Sequence, residues 1–84
     1  MTVDLADSIG LLGSAVFIAA FAYANWANPF DKVLFNAVNL FGAILLLASL
    51  SVHFNLAAAT LEVAWALIAI TGLIAALRAR RRAP

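Results

Sequence analysis

Cysteine is absent from this 84-residue chain, so disulfides, thiolate nucleophiles and thiolate metal sites are all excluded. Charge is scarce as well: Asp, Glu, Lys and Arg together make up 11% of the residues, and there is one histidine. So few charges do not make a nucleic-acid surface. No catalytic triad, carboxylate pair, metal-ligand cluster or phosphate-binding glycine loop can be assembled from the residue order. These absences predict a protein that is not an enzyme and needs no cofactor and no metal. They also leave no internal repeat, low-complexity tract or second domain.

What fills the chain instead is apolar. Hydrophobic residues make up 67% of it and the mean hydropathy is +1.07, well above an ordinary globular domain. A chain this short cannot hide so much aliphatic surface in a core of its own in water. A bilayer removes the difficulty.

Three uncharged or nearly uncharged runs follow one another: SIGLLGSAVFIAAFAYANW (8–26), VLFNAVNLFGAILLLASLSV (33–52) and LAAATLEVAWALIAITGLIAAL (56–77). Each has the length of a helix crossing the hydrocarbon core. The sequence therefore predicts one all-α domain over residues 1–84, an integral membrane three-helix bundle. Its helices are expected at about 8–27, 32–52 and 56–78, with a basic tail over 78–84. The links ANPFDK and HFN are short, so neighbouring helices run antiparallel.

Charge asymmetry sets the expected orientation. Asp4 and Asp7 precede the first run, while Lys32, Arg78, Arg80, Arg81 and Arg82 all fall on one side of a three-span chain. The positive-inside rule then gives N-out, C-in, in a bacterial cytoplasmic membrane, with a cytoplasmic basic tail. The first run lacks the positive n-region of a cleaved leader and reads as a retained helix.

At a rise of about 1.5 Å per residue the polar groups fall into two layers. Ser14, Ser49 and Glu62 lie at matching depth near the outer boundary. Tyr23, Asn36, Asn39 and Thr71 cluster about 6 to 11 Å from the inner one. Glu62 is the leading candidate, because an intramembrane carboxyl must face protein or water, or stay protonated. It is expected either to work as a proton or ligand site or to donate a hydrogen bond to Ser14 or Ser49. Asn36 and Asn39 share one face of the second helix; they are expected to hold helices together, or else to meet a solute's hydroxyls. Trp65 is expected to fill volume, or to stack on a ligand, and Trp26 to anchor at the boundary. His53 is expected to be solvated. Gly10, Gly13, Gly42, Ala69 and Gly72 supply small-residue seams for close helix packing.

The segments IGLLGSAVFIAAFAY, NAVNLFGAILLLASL and EVAWALIAITGL, with Gly10, Gly13, Tyr23, Asn39, Gly42 and Trp65, resemble a family of uncharacterised small bacterial inner-membrane proteins. That resemblance implies a three-helix membrane domain. A more distant likeness, in size and architecture, is to the SemiSWEET transporters of the PQ-loop class. It implies a parallel dimer whose third helix lies between the first two, with a sugar site lined by a tryptophan and an asparagine of the third helix. The chain departs from that pattern, since Pro29 is followed by Phe30 and Glu62 stands where an asparagine would. Two functions are carried forward. One is a structural or accessory subunit that self-associates, for example as a dimer, or packs on a larger membrane complex. The other is a dimeric transporter of a small polar solute using Glu62.

Overall fold

The computed structural model describes residues 4–27, 29 and 31–82. These residues form three helices, α1 (Leu5–Trp26), α2 (Lys32–Val52) and α3 (Leu56–Arg82), with no strand among them. Their 22, 21 and 27 residues correspond to roughly 31 to 40 Å of helix, against a hydrocarbon core of about 30 Å. All three are long and apolar enough to cross a membrane.

Each start has a side chain that satisfies the free N–H groups of the first turn. Asp4 Oδ1 accepts the Asp7 N–H at 2.8 Å while Asp7 Oδ2 takes the Asp4 N–H at 3.4 Å, a capping box. Asp31 Oδ1 accepts the N–H groups of Val33 and Leu34 at 2.9 and 3.2 Å. Asn55 Oδ1 accepts from the Ala58 N–H at 3.1 Å.

These caps move two boundaries from their expected places. Helix α1 begins at Leu5 rather than near residue 8, because its first turn is built on the two aspartates. Helix α3 continues to Arg82, so residues 78–82 are helical and not a tail; residues 83 and 84 lie outside the described set. Arginine is a good helix former, and its charge favours a helix C-terminus.

The helices stand in the order α1, α2, α3, with α2 in the middle and packed on both neighbours. The third helix does not lie between the first two, as the SemiSWEET likeness implies. The buried residues mark the seams: Ala6, Gly13 and Ala20 in α1, Asn39, Gly42 and Ala43 in α2, and Ala69 alone in α3.

Close approach explains the glycines. A Cβ on Gly13 would sit 3.0 Å from the Gly42 carbonyl oxygen, and one on Gly42 would sit 2.8 Å from the Phe17 ring. A Cβ on Gly10 would meet Ser49 Oγ at 2.7 Å. Gly72 lies under the Asn36 amide, so α3 reaches α2 by the same device. Gly10 and Gly13 of α1 are therefore used within the chain, against α2.

Candidate functional site

Helices α1 and α3 meet through side chains. The Trp65 ring stands 5.6 Å from Phe17, tilted by 46°, and 5.6 Å from Phe21 in an edge-on arrangement. Phe21 in turn meets Phe35 edge-on at 6.5 Å. Offset and edge-on ring pairs of this kind are favoured by the aromatic quadrupole. Through these contacts Trp65 joins the outer two helices.

Below this aromatic group is a cleft of about 210 Å³ lined by Phe21, Phe35, Asn36, Asn39, Trp65, Ile68 and Ala69. All three helices contribute to it. Asn39 is only 5% exposed, and its Oδ1 has no hydrogen-bond partner. Asn36 behaves differently, because its Nδ2 donates back to the Lys32 carbonyl at 2.8 Å while its amide covers Gly72. The two asparagines share a face but do not tie α2 to α3 by a side-chain hydrogen bond: one is turned onto its own helix and the other has an unmet acceptor.

The outer polar layer separates laterally. Ser14 Oγ donates to the Gly10 carbonyl at 3.0 Å, and Ser49 packs under Gly10. Ser49 thus belongs to the seam between α1 and α2, while Ser14 is turned onto its own helix. Glu62 is on α3. It makes no hydrogen bond to either serine, and its Oε2 is buried without a partner. Equal depth along the bundle does not by itself make hydrogen-bond partners.

Tyr23 belongs to the opposite end, where its hydroxyl accepts the Asp31 N–H at 2.6 Å and fastens the end of α1 to the start of α2. Arg80 donates to Asp31 Oδ1 at 2.9 Å, which fastens the end of α3 to the same point. Asp31 is held below the usual carboxylate range, first by the Leu34 N–H and then by Arg80.

At the other end His53 is paired rather than merely solvated. Its Nε2 lies 2.8 Å from Asp4 Oδ2 and 3.8 Å from Asp7 Oδ1. The hydrogen bond to Asp4 raises the imidazole above its ordinary value, and the Asp7 N–H, followed by His53, lowers Asp4. One nitrogen and two carboxylate oxygens within 4.8 Å of one another could hold a metal ion, although all are already used by the cap and the ion pair.

Sequence reasoning singled out Asn36, Asn39 and Trp65 in the cleft but missed Phe21, Phe35 and Ile68, which no pattern distinguishes from lipid-facing neighbours. A model of an uncharacterised family matches residues 6–81, and the chain belongs to that family. No curated protein and no solved structure matches the chain.

Proposed function

We propose that this chain is a non-enzymatic membrane subunit that self-associates or packs on a larger complex in a bacterial cytoplasmic membrane, N-out and C-in, with α3 as its joining helix. The observation that carries the reading is the imbalance of burial. Among the described residues α3 buries Ala69 alone, while α1 and α2 bury three residues each. The outer half of α3 also presents a shallow groove of Ala59, Thr60, Val63, Ala64 and Leu67. Thr60 and Ala64 are four apart, the small-xxx-small spacing that lets helix backbones approach in lipid.

The test is the mass of the particle extracted in mild detergent, for the wild type and for Ala64→Leu. A defined assembly that the variant dissociates is expected. A monomer in both, with no associated chain, would overturn the reading.

A second reading, transport of a small polar solute, has one observation in its favour: the buried, partnerless carboxyl oxygen of Glu62. Glu62→Gln keeps the shape and removes titration. Solute uptake by reconstituted vesicles at an unchanged rate and pH dependence in that variant would end this reading.

A further inference from the structure

The arginines at the end of α3 are the feature neither reading uses. Arg80 is bound to Asp31, whereas Arg78 and Arg81 have no carboxylate partner among the described residues. The chain has no carboxylate to spare for them. Of its four acidic side chains, Asp4 and Asp7 face His53 at the opposite end, Asp31 already holds Arg80, and Glu62 stands about 24 Å away along α3. A second copy lying parallel would bring only the same set.

What these arginines border is partly apolar. Ile74, Leu77, Arg78 and Arg81 fall at i, i+3, i+4 and i+7, one face of a helix, and together with Arg80 they line an open groove of about 570 Å³. Ile74 and Leu77 are exposed there at 44% and 43%. The apolar stretch 56–77 takes up about 33 Å at about 1.5 Å per residue, close to the roughly 30 Å of the hydrocarbon core, so Arg78 is the first residue beyond it. Depth therefore sorts the two halves of the groove. Ile74 and Leu77 lie at the level of acyl chains, and Arg81 stands about 4.5 Å past Arg78, within a headgroup layer about 5 to 7 Å deep. Trp26, 83% exposed at the end of α1, is a residue suited to this boundary.

We propose that this groove binds an anionic phospholipid, its phosphate held by Arg78 and Arg81 and the start of an acyl chain lying on Ile74 and Leu77. A free anion would leave the apolar wall unmatched, and an alkyl chain alone would leave the guanidinium groups unmatched. The fork of an arginine fits phosphate oxygens, and basic pockets at this level of membrane helices suit lipid headgroups. A zwitterionic lipid brings its own cation to the phosphate, so a net negative headgroup is preferred. The negative end of the α3 dipole, about half a charge, is outweighed by two full positive charges. The proposal rests on the helices standing in a membrane and not on the joining role of α3, because the groove of Thr60 and Ala64 lies toward the other end of that helix.

The test uses the full-length protein in phosphatidylcholine nanodiscs with rising mole fractions of phosphatidylglycerol, read at the side-chain Nε–H resonances of ¹⁵N-labelled arginine. Those of Arg78 and Arg81 are expected to shift saturably. Arg82 lies outside the groove and serves as the control for charge. Arg81→Gln should weaken the apparent affinity about tenfold, the value of one charge-assisted hydrogen bond, while Arg82→Gln, with the same change in net charge, should alter it less than about threefold. Both positions are exposed, so neither variant puts folding at risk. Equal losses from the two variants would overturn the proposal, because a diffuse attraction of the basic end to anionic lipid costs the same for either arginine. So would an equal shift from water-soluble glycerol 3-phosphate in pure phosphatidylcholine discs, which would make the ligand a free phosphate. A shift set by the number of protein copies per disc and not by phosphatidylglycerol would put a second copy in the groove and overturn it too. Failure of the protein to enter the discs would overturn the membrane placement and the proposal with it, a result that none of the titration outcomes resembles.

Discussion

The two faces of α2 solve the same packing problem differently. Toward α1 the contact is made of backbone and close-fitting side chains: Gly13 lies against the Gly42 carbonyl and Gly42 under Phe17. Toward α3 one close approach, Asn36 over Gly72, is followed by a cleft in which a buried amide goes unmatched. Where lipid tails are as apolar as leucine, close packing rather than water exclusion holds helices together. The first face is therefore the structural one, and the second is less closely filled.

The largest expected effect comes from breaking the closed face. Gly13→Leu would drive a side chain into the Gly42 carbonyl and into Leu45 and Leu46. It should cost on the order of 1–3 kcal/mol, or prevent helix docking outright. Resistance to unfolding in a titration with denaturing detergent would measure this. A tolerated Gly13→Leu would mean that the seam is looser than its geometry.

Removing the aromatic bridge sharpens the comparison from the other side. Trp65→Ala deletes the contacts of α3 with Phe17 and Phe21 but leaves the seam between α1 and α2 untouched. Spin labels on α1 and α3 should then report a broadened distance distribution, while labels on α1 and α2 report an unchanged one. Loss of both distances would show that the two faces fold as one unit.

A smaller effect separates the ends of the bundle. Each end has a helix-capping aspartate that also binds a basic residue from a neighbouring helix or its cap: Asp4 with His53, and Asp31 with Arg80. Only the first partner titrates near neutrality. Because folding raises the His53 value, its contribution is complete below the ordinary imidazole value of about 6.5 and is lost as pH rises through the raised one. Because folding lowers Asp4, its contribution is present above about 3.9 and is lost as pH falls through the lowered value. The protection factor against amide exchange in the first turn of α1 should therefore fall above neutrality, and His53→Asn should remove that limb. The protection factor at the start of α2 should not change over the same range. These groups are exposed, so the change will be modest and salt-dependent.

The number and place of the three long apolar helices were legible because hydropathy over some twenty residues is a strong signal. The ends were less so. Counting uncharged residues starts α1 at Ser8, whereas the helix begins with the charged turn that caps it, and the same count stops α3 before four arginines that continue it. Which side chains of one level meet was not legible from residue counting. Ser14, Ser49 and Glu62 were placed together because they share a level, yet Ser14 is turned onto the Gly10 carbonyl, Ser49 lies against Gly10, and Glu62 Oε2 has no partner. The sequence names Asn39 and Trp65 as polar and aromatic outliers. It could not show that one has an unmet acceptor or that the other bridges two helices, since both facts depend on which side chains arrive from elsewhere.

The most direct test of α3 as the joining helix is photocrosslinking in native membranes, with p-benzoylphenylalanine placed at Ala64 on α3 or at Ile18 on the exposed face of α1. The account predicts a covalent adduct of discrete mass from position 64 and none from position 18. An adduct from position 18 alone, or none from either, would contradict it.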